Sequence, residues 1–378
     1  GEIVLAGDVG RNASGGYGNE ITVSGEGSLL GVAGITAIGH TTLTVSTPLE
    51  LTFDQTTAVS HSTLTASSDV AYLFPVVSSL SNVNLYADAG GELLFPVATS
   101  YTGYNGGHTR IEASGAGSRI DLSALETLAG GGHRSSYPST NYRTYIKALD
   151  GGEIVLAGDV GRNASGGYGT SISLEGPKST IEVGAVSGLS YTNISIGEGH
   201  SLTFHHVVSL SNVNLYADAG GELLFPVATS YTGYNGGHTR IEASGAGSRI
   251  DLSALETLAG GGHRSSYPST NYRTYIKALD GGEIVLAGDV GRNASGGYGN
   301  EITVSGEGSL LGVAGITAIG HTTLTVSTPL ELTFDQTTAV SHSTLTASSD
   351  VAYLFPAATT LSEVNLYASG GSEIVFPV

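Results

Sequence analysis

The 378-residue sequence predicts an all-β solenoid, in which short strands recur once per turn of a coiling chain and stack into parallel sheets. Three observations lead to this prediction: long unchanged internal repeats, short alternating apolar pairs at intervals of roughly 19 to 35 residues, and a composition of 57 glycines with only 12% charged residues. Hydrophobic residues make up 40% of the chain, which is enough for a continuous core. We therefore expect about 14 to 15 three-sided coils with long loops on one side.

Internal duplication is the strongest of these signals. Residues 79–169 recur unchanged as 209–299, and residues 1–75 recur unchanged as 282–356. The second copies begin five and eleven predicted coils after the first ones. We expect residues 1–378 to form a single continuous solenoid. A catalytic centre normally occurs once per chain, so this duplication favours a structural role.

Each coil begins with a short strand whose apolar residues alternate. Such alternation indicates a strand with one buried face. The pairs are Ile21/Val23, Leu43/Val45, Leu64/Ala66, Val83/Leu85, Ile111/Ala113, Ile146/Ala148, Ile172/Leu174 and Ile194/Ile196, and they continue through the repeats to Val364/Leu366.

A second strand follows the first after about 8 to 10 residues, across a glycine-rich bend such as Gly25–Ser28, Gly115–Ser118 or Asp150–Glu153. Its inward pairs are predicted to be Leu30/Val32, Leu51/Phe53, Tyr72/Phe74, Leu93/Phe95, Ile120/Leu122, Ile154/Leu156, Ile181/Val183 and Leu202/Phe204. Phe74-Pro75 and Phe95-Pro96 lie one coil apart, as do Phe355-Pro356 and Phe376-Pro377, so we expect these rings to stack on adjacent coils. Proline would end each strand where no ladder N–H is needed.

Nearly all the variation in coil length falls after the second strand, between residues 97 and 109 and between 128 and 143. These segments carry tyrosines that should project side by side from consecutive coils, where they could contact sugars or a neighbouring fibre. The alternative is that the rings cover their own sheet. The candidates are Tyr101, Tyr104, Tyr137, Tyr142 and Tyr145, duplicated as Tyr231, Tyr234, Tyr267, Tyr272 and Tyr275.

Composition excludes several functions. With 33 acidic and 14 basic residues the formal charge is −19, which disfavours nucleic-acid partners and anionic membranes. No apolar run approaches the length of a membrane-spanning helix, so we expect no membrane insertion. Cysteine is absent, which excludes disulfides and cysteine zinc sites, and we expect neither metal nor cofactor. Asn12, Asn163 and Asn293 in Asn-Ala-Ser, and Asn193 in Asn-Ile-Ser, are candidate glycosylation acceptors.

The segments Ile111–Leu125 and Ile146–Leu156 resemble coils of right-handed parallel β-helices in large bacterial surface and adhesin-type proteins. The resemblance covers essentially the whole chain. It implies three-sided coils, a right-handed path in agreement with the general crossover rule, and an extracellular or cell-surface location. It also implies a fibrous or adhesive role.

Catalysis is the main alternative, because β-helices of this kind include enzymes that cleave polysaccharides. Members resembling the pectin-hydrolysing branch would carry Asp-Asp, Asn-Thr-Asp, Ser/Gly-His-Gly and Arg-Ile-Lys motifs, and this sequence has none of them. Glycoside hydrolysis needs two carboxylates at a fixed separation. The acids Glu112, Asp121, Asp150, Glu153 and Asp159 are instead spread over bends and outward strand positions. We therefore expect no catalytic residues.

The two ends of the sequence both coincide with second strands, Glu2–Leu5 and Glu373–Phe376. Uncapped solenoid ends recruit further strands, so we expect the molecule to partner itself, by covalent continuation or by head-to-tail assembly. The predicted function is a structural extracellular filament or adhesin stalk without enzymatic activity. The alternative is a glycan-binding or glycan-cleaving β-helix similar to tailspike proteins, with glycans as ligands.

Overall fold

The computed structural model describes residues 1–11, 18–104, 106–134, 140–163, 169–264 and 270–377. The chain divides into two compact units, Gly1–Ser187 and Gly188–Val378, referred to below as unit 1 and unit 2. Each unit is a right-handed parallel β-helix with three sides, and the described residues contain no helix. The predicted fold class is confirmed. The duplications place one copy of each repeated sequence in each unit.

The first side of unit 1 is a ladder of parallel strands that contribute one rung per coil. These strands are Asn19–Val23, Thr41–Val45, Thr63–Ser67, Asn84–Asp88, Thr109–Ser114, Thr144–Leu149 and Thr170–Glu175. Parallel strands buried on one face put equivalent residues directly above one another, so Leu43, Leu64, Leu85 and Ile111 form a single inward file.

The second and third sides of unit 1 consist of shorter strands. The second-side strands are Glu50–Thr52, Ala71–Leu73, Glu92–Leu94 and Arg119–Leu122, and the third-side strands are Ala58–Ser60, Ser79–Ser81, Ser100–Thr102 and Thr127–Gly130. Four longer strands run along both sides: Glu2–Val9, Leu29–Gly39, Glu153–Arg162 and Thr180–Ser190, the last of which contains the boundary between the units. A short antiparallel pair, His133–Arg134 with Thr140–Asn141, lies within a long loop.

Unit 2 has the same three-sided organisation. Its first side comprises Thr192–Ile196, Asn214–Asp218, Thr239–Ser244, Thr270–Leu279, Gly299–Ser305, Thr322–Val326, Thr344–Ser348 and Asn365–Ser369. Its second side comprises Ser201–Thr203, Glu222–Leu224, Arg249–Leu252, Leu330–Thr333, Val351–Leu354 and Glu373–Val375. Its third side comprises Ser209–Ser211, Ser230–Thr232, Thr257–Gly260, Ala339–Ser341 and Thr360–Ser362. Two long strands, Glu283–Arg292 and Leu310–Gly320, run along both the second and the third side. The short strand Gly262–Arg264 pairs antiparallel with the start of Thr270–Leu279.

The core is the dry interior enclosed by the three sides. All sixteen residues of the eight second-strand pairs predicted to face inward are buried. The predicted stacking of phenylalanines is confirmed: the ring centroids of Phe74 and Phe95 are 4.8 Å apart and those of Phe355 and Phe376 are 4.6 Å apart. These separations match the spacing of hydrogen-bonded strands, about 4.8 Å, so stacking follows directly from coil spacing.

The sequence pattern assigned one register incorrectly. Val83/Leu85 was predicted to continue the pair Leu64/Ala66, but Leu64 pairs with Leu85 and Ala66 with Ala87, so that coil is longer than the alternation suggested. Both Val83 and Leu85 face inward, and alternation therefore could not show which of them continues the file. The same correction holds for the later copies, including Val364/Leu366, because Leu345 pairs with Leu366.

The corner between the first and second sides is closed by serine as well as glycine. In the bend Gly115–Ser118, the buried hydroxyl of Ser118 donates to the Ser114 carbonyl at 2.6 Å and accepts from the Gly90 N–H of the preceding coil at 3.1 Å. One side chain thus satisfies two backbone groups that would otherwise lie buried without partners. At Gly91 of this corner, a Cβ would approach the Ala66 carbonyl oxygen to 2.0 Å, so only glycine fits.

The third side was predicted only as the place where loops emerge, but it is also a regular ladder. Tyr101 pairs with Leu80 and Leu128 and its ring is fully buried, with its hydroxyl donating to the Val83 carbonyl at 2.6 Å. Tyr231 is buried in the same way in unit 2. The prediction that Tyr101 and Tyr231 are surface-contact residues is therefore wrong. Alternation alone would have placed both rings inward.

Candidate ligand-contact corner

Each coil turns from its third side back to its first side at what we call the third corner. Both long insertions, between Thr102 and Thr109 and between Gly130 and Thr144, lie at this corner, as the predicted one-sided loops require. Eight of the eleven histidines also belong to it by their position between third-side and first-side strands: His40, His61, His108, His133, His238, His263, His321 and His342. Polar aromatic side chains are thus concentrated along one corner.

Three consecutive coils of unit 1 place His40, His61 and Asn82 at the third corner in the left-handed backbone region, with φ of 50°, 48° and 58°. Their backbone N–H groups each donate to a carbonyl of the next coil, at 2.7 to 3.0 Å. This locked backbone stacks the imidazoles of His40 and His61, whose centroids are 4.5 Å apart at 16°. The Asn82 amide nitrogen lies 2.9 Å from His61 Nε2. The result is a polar ladder with one rung per coil.

A second cluster surrounds His108. The rings of Tyr142 and Tyr145 lie 5.4 and 5.2 Å from the His108 imidazole, and the Arg110 guanidinium lies 5.8 Å from the centre of the Tyr145 ring. The Arg143 backbone N–H donates to His108 Nδ1 at 3.0 Å. Because Nδ1 is an acceptor here, the neutral ring carries its proton on Nε2 and directs a donor away from the backbone.

Unit 2 repeats this cluster around His238. The His238 imidazole lies 5.4 Å from Tyr272 and 5.1 Å from Tyr275, and its Nδ1 accepts from the Arg273 N–H at 3.0 Å. The Arg273 guanidinium additionally lies 5.0 Å from the centre of the Tyr298 ring. Identical sequences therefore build the same geometry twice.

The predicted tyrosines divide into three groups. Tyr101 and Tyr231 are core residues, while Tyr137 and Tyr267 lie outside the described residues. Tyr104 is 44% exposed, and the remaining five, Tyr142, Tyr145, Tyr234, Tyr272 and Tyr275, are half-buried. The half-buried rings agree in part with both alternatives from the sequence, surface contact and local packing, because each ring packs against the chain and remains partly accessible.

Sequence reasoning missed Tyr191, Tyr298 and the stacked histidines. Tyr191 occupies the left-handed corner position in unit 2, with φ of 50°, and packs edge-on against Tyr234 at 5.7 Å. His40 and His61 occupy equivalent positions on successive coils, so their spacing contained the signal. Within the described residues no group of three or more metal-ligating side chains is present.

The candidate glycosylation acceptors do not behave alike. Asn293 is only 8% exposed, and its amide nitrogen donates to the Gly233 carbonyl at 3.2 Å and to Asn235 Oδ1 at 3.0 Å, so its side chain is covered in the folded chain and its glycosylation stays a prediction. Asn193 lies on a first-side strand and accepts a hydrogen bond from the Asn214 amide at 2.7 Å. Asn163 is half-buried, and Asn12 lies outside the described residues.

Unit 1 contains a groove of about 490 Å³ at the third corner. It is lined by Arg11, His40, His61, Ser62, Thr63, Asn82, Asn84, Tyr104, His108 and Thr109. Among the described residues no carboxylate lines this groove, although the chain as a whole is strongly acidic. Glu20 lines a neighbouring depression that shares His40, His61 and Thr63 with this groove.

Electrostatics disfavours protonation of one imidazole in each stack. Loss of hydration at the corner lowers the pKa of His40, and the nearby charges of Arg11 and His61 lower it further. In unit 2 the same causes, loss of hydration followed by Arg292 and His342, lower the pKa of His321, while Glu363 opposes them. A ligand that supplies negative charge would act as Glu363 does.

Two acidic side chains of the second side in unit 1, Asp121 and Glu153, form ion pairs with one arginine. Arg119 bonds Asp121 at 2.9 Å and also contacts Glu153 on the next coil. Burial by itself raises the pKa of Asp121, but hydrogen bonds from Ser123 and Arg119 outweigh it and the net pKa is lowered. An ionised, arginine-bound carboxylate is poorly suited to donate a proton. On the first side, Glu112 and Lys147 lie opposite each other on adjacent coils, but Glu112 pairs with Arg110 and Lys147 with Glu175.

Comparisons with protein-family models, with curated proteins and with solved structures found no match. In the described ranges there is no helix long and apolar enough to cross a membrane.

Proposed function

We propose that this chain is a load-bearing segment of an extracellular filament or cell-surface adhesin stalk, and that it has no enzymatic activity. The observation that carries the proposal is the register: the same inward residues repeat on successive coils in each unit, so backbone hydrogen bonds and stacked rings run along the helix axis. Tension along that axis would be shared by many parallel ladder bonds on every coil.

The same register supports extension by further coils. Each coil presents ladder groups that the next coil satisfies, and a solenoid gains stability with every neighbour added. We propose that extension occurs end to end, with coils supplied by the same polypeptide or by another copy. The extracellular setting is part of the proposal and is supported by the absence of cysteine and methionine, which leaves no sulfur to oxidise.

Electron microscopy and fibre diffraction of the purified chain test this function. We expect filaments with an axial repeat of about 4.8 Å, the spacing of stacked strands. Particles that stay separate at all concentrations would contradict self-assembly. A single-molecule pulling experiment then tests load bearing independently, because a stalk should resist force along its axis and lose coils in small steps. Turnover of any polysaccharide by the same preparation would contradict the non-enzymatic role.

Glycan binding is a second candidate, favoured by the half-buried tyrosines around His108 and His238. Such rings offer a flat apolar face with a polar edge, which suits contact with sugars. A glycan array with the intact chain tests this candidate, using Tyr142→Ala and Tyr272→Ala together against the control Tyr367→Ala, which changes an exposed tyrosine on the first side of unit 2. Loss of binding in the double variant would support it, and unchanged binding would exclude these clusters.

A further inference from the structure

The stacked imidazole pair of unit 1 has an identical copy in unit 2. His321 and His342 are the counterparts of His40 and His61 in the duplicated segment 282–356, with centroids again 4.5 Å apart and φ of 50° and 49°. In each unit one arginine at the end of a long strand acts on the pair, Arg11 in unit 1 and Arg292 in unit 2. Two copies of one arrangement can therefore be compared directly.

The coil that follows the pair differs between the two copies. In unit 2 the next corner residue is Glu363, whose carboxylate lies 3.3 Å from His342 Nε2. In unit 1 the corresponding residue is Asn82, which contacts His61 Nε2 through its amide at 2.9 Å and brings no charge. Both residues adopt the same left-handed backbone, with φ of 56° and 58°. The histidine pair of unit 2 thus has a carboxylate beside it, and the pair of unit 1 does not.

The groove beside the unit-1 pair has the space and the chemistry to receive that missing group. Arg11, His40, His61 and His108 line it as positive or potentially positive groups, and its other polar lining consists of amides and hydroxyls, with Tyr104 at its rim. Glu20 is a nearby carboxylate, and it lines a separate depression that shares His40, His61 and Thr63 with the groove. Within the described part of the chain, Arg11 has no ion-pair partner.

We propose that the unit-1 groove is an oxyanion-binding site, in which a carboxylate or sulfate group is held between Arg11 and the His40–His61 stack and is bound more tightly in mild acid. The ligand would be either a free inorganic oxyanion or an acidic sugar residue, which share this chemistry. Arginine and imidazolium both donate charge-assisted hydrogen bonds to such groups. The site does not depend on the structural role proposed above.

Mild acid matters because the pair must gain protons to attract an anion. Histidine titrates near pH 6.5. If a bound anion raises an imidazole pKa by one unit, the anion binds the protonated imidazole ten times more tightly than the neutral one. We therefore expect the dissociation constant to fall by about tenfold between pH 7.5 and 5.5. In unit 2, the Glu363 carboxylate already lies beside His342 Nε2 and would compete with an added anion.

Isothermal titration of the full chain at constant ionic strength tests the site. The probes are sodium sulfate, trigalacturonate and, as the neutral control, maltotriose, each at pH 5.5 and pH 7.5. We expect one site per chain for an anionic probe, tighter at pH 5.5, and no binding of maltotriose. Sulfate binding alone assigns a free oxyanion, trigalacturonate binding alone assigns an acidic sugar, and binding of both supports the shared chemistry. Binding of neither anion, or equal binding at both pH values, would overturn the proposal.

Matched variants locate the site. Arg11→Gln and His61→Gln should each weaken binding at least tenfold, whereas Arg292→Gln and His342→Gln in unit 2 should leave it unchanged. Equal effects in both units would refute the assignment to unit 1. Circular dichroism of each variant shows whether the coils remain folded.

Exchanging the two corner residues provides a gain-of-function test that does not depend on loss variants. Asn82→Glu should place a carboxylate beside His61 and weaken anion binding, while Glu363→Asn should create a second, weaker site and raise the stoichiometry from one towards two. If Asn82→Glu binds as tightly as the parent chain, the groove is not the site.

Discussion

Residues 79–169 and 209–299 have the same sequence but different neighbouring coils, and comparing them separates what a coil determines from what its neighbours determine. Their interiors agree closely. The Tyr101 and Tyr231 hydroxyls donate to equivalent carbonyls at 2.6 and 2.7 Å. Their buried threonine pairs, Thr109 with Thr144 and Thr239 with Thr274, are both separated by 2.7 Å. The interior of a coil follows from its own sequence.

The outer edges of the two copies differ because the adjoining coils differ. Asn84 donates to the Thr63 hydroxyl at 3.2 Å, whereas its counterpart Asn214 donates to Asn193 Oδ1 at 2.7 Å and is more deeply buried. Solvent-facing chemistry is therefore set jointly by two successive coils. This is also why one histidine stack adjoins an amide and its copy adjoins a carboxylate.

The largest expected effect tests the shared interior. Tyr101→Ala and Tyr231→Ala should each destabilise their own unit by about 3 to 5 kcal/mol, because each removes a fully buried ring. Native-state hydrogen exchange, followed coil by coil, measures the two effects separately. Tyr104→Ala, at an exposed ring, is the control and should change stability by less than about 0.5 kcal/mol. Clearly unequal losses in the two units would contradict an interior fixed by each coil.

A smaller loss is expected at the serine bends. Ser118→Ala and Ser248→Ala should each cost about 1 to 3 kcal/mol, because the N–H of Gly90 or Gly220 loses its buried partner. Faster amide exchange at those two glycines is the measurement. Restoration of protection by Ser→Thr would show that the hydroxyl is responsible, and unchanged exchange in the alanine variants would argue that water replaces it.

The first residue after the duplicated block offers a stabilising change. Asn300 is buried and donates to the Gly291 carbonyl at 2.7 Å, but its Oδ1 has no hydrogen-bond partner, whereas Thr170 makes the equivalent bond to Gly161 at 2.6 Å with no atom left over. Asn300→Thr should therefore stabilise unit 2 by about 1 kcal/mol, and Thr170→Asn should destabilise unit 1 by a similar amount. Thermal denaturation of both variants measures this, and a destabilised Asn300→Thr chain would contradict the account.

The smallest effect concerns pH. The pKa of His321 is lower in the folded state than in the unfolded state, so the folded state binds fewer protons. The free energy of unfolding is therefore at its full value above pH 6.5 and decreases as the pH falls. Glu363 opposes this lowering, so Glu363→Gln should enlarge the loss of stability below pH 6.5. The change should stay below about 0.5 kcal/mol, because exposed charges are screened. Denaturant midpoints at pH 7.5 and 5.5 measure it, and a reduced acid sensitivity would contradict the sign.

Much of the fold could be predicted because each coil repeats a simple alternation. The pairs Leu93/Phe95 and Ile154/Leu156 are buried as expected, and Phe74 stacks on Phe95. Alternation could not assign the register at Val83, where a third inward residue precedes the strand.

Less of the candidate site could be predicted, because it depends on backbone geometry. Nothing in the alternation of His40 and His61 shows that both adopt a left-handed conformation, which is what stacks their rings. Asn82 and Glu363 are far apart in sequence and unlike in chemistry, yet they occupy equivalent positions. Their matching flanking residues align them, but only the coil register places each one beside the second histidine of its stack, and the register just after Asn82 was the one assigned incorrectly.

The vertical register has a consequence for how such a gene can change. A duplication or deletion preserves the inward files only if it adds or removes whole turns, as both duplications in this chain do. A shift of a single position would turn every buried leucine of a strand towards water. Only insertions or deletions of whole coils therefore keep the buried residues in register. Each of them places an unchanged coil beside a new neighbour, so the surface chemistry can change without a point mutation.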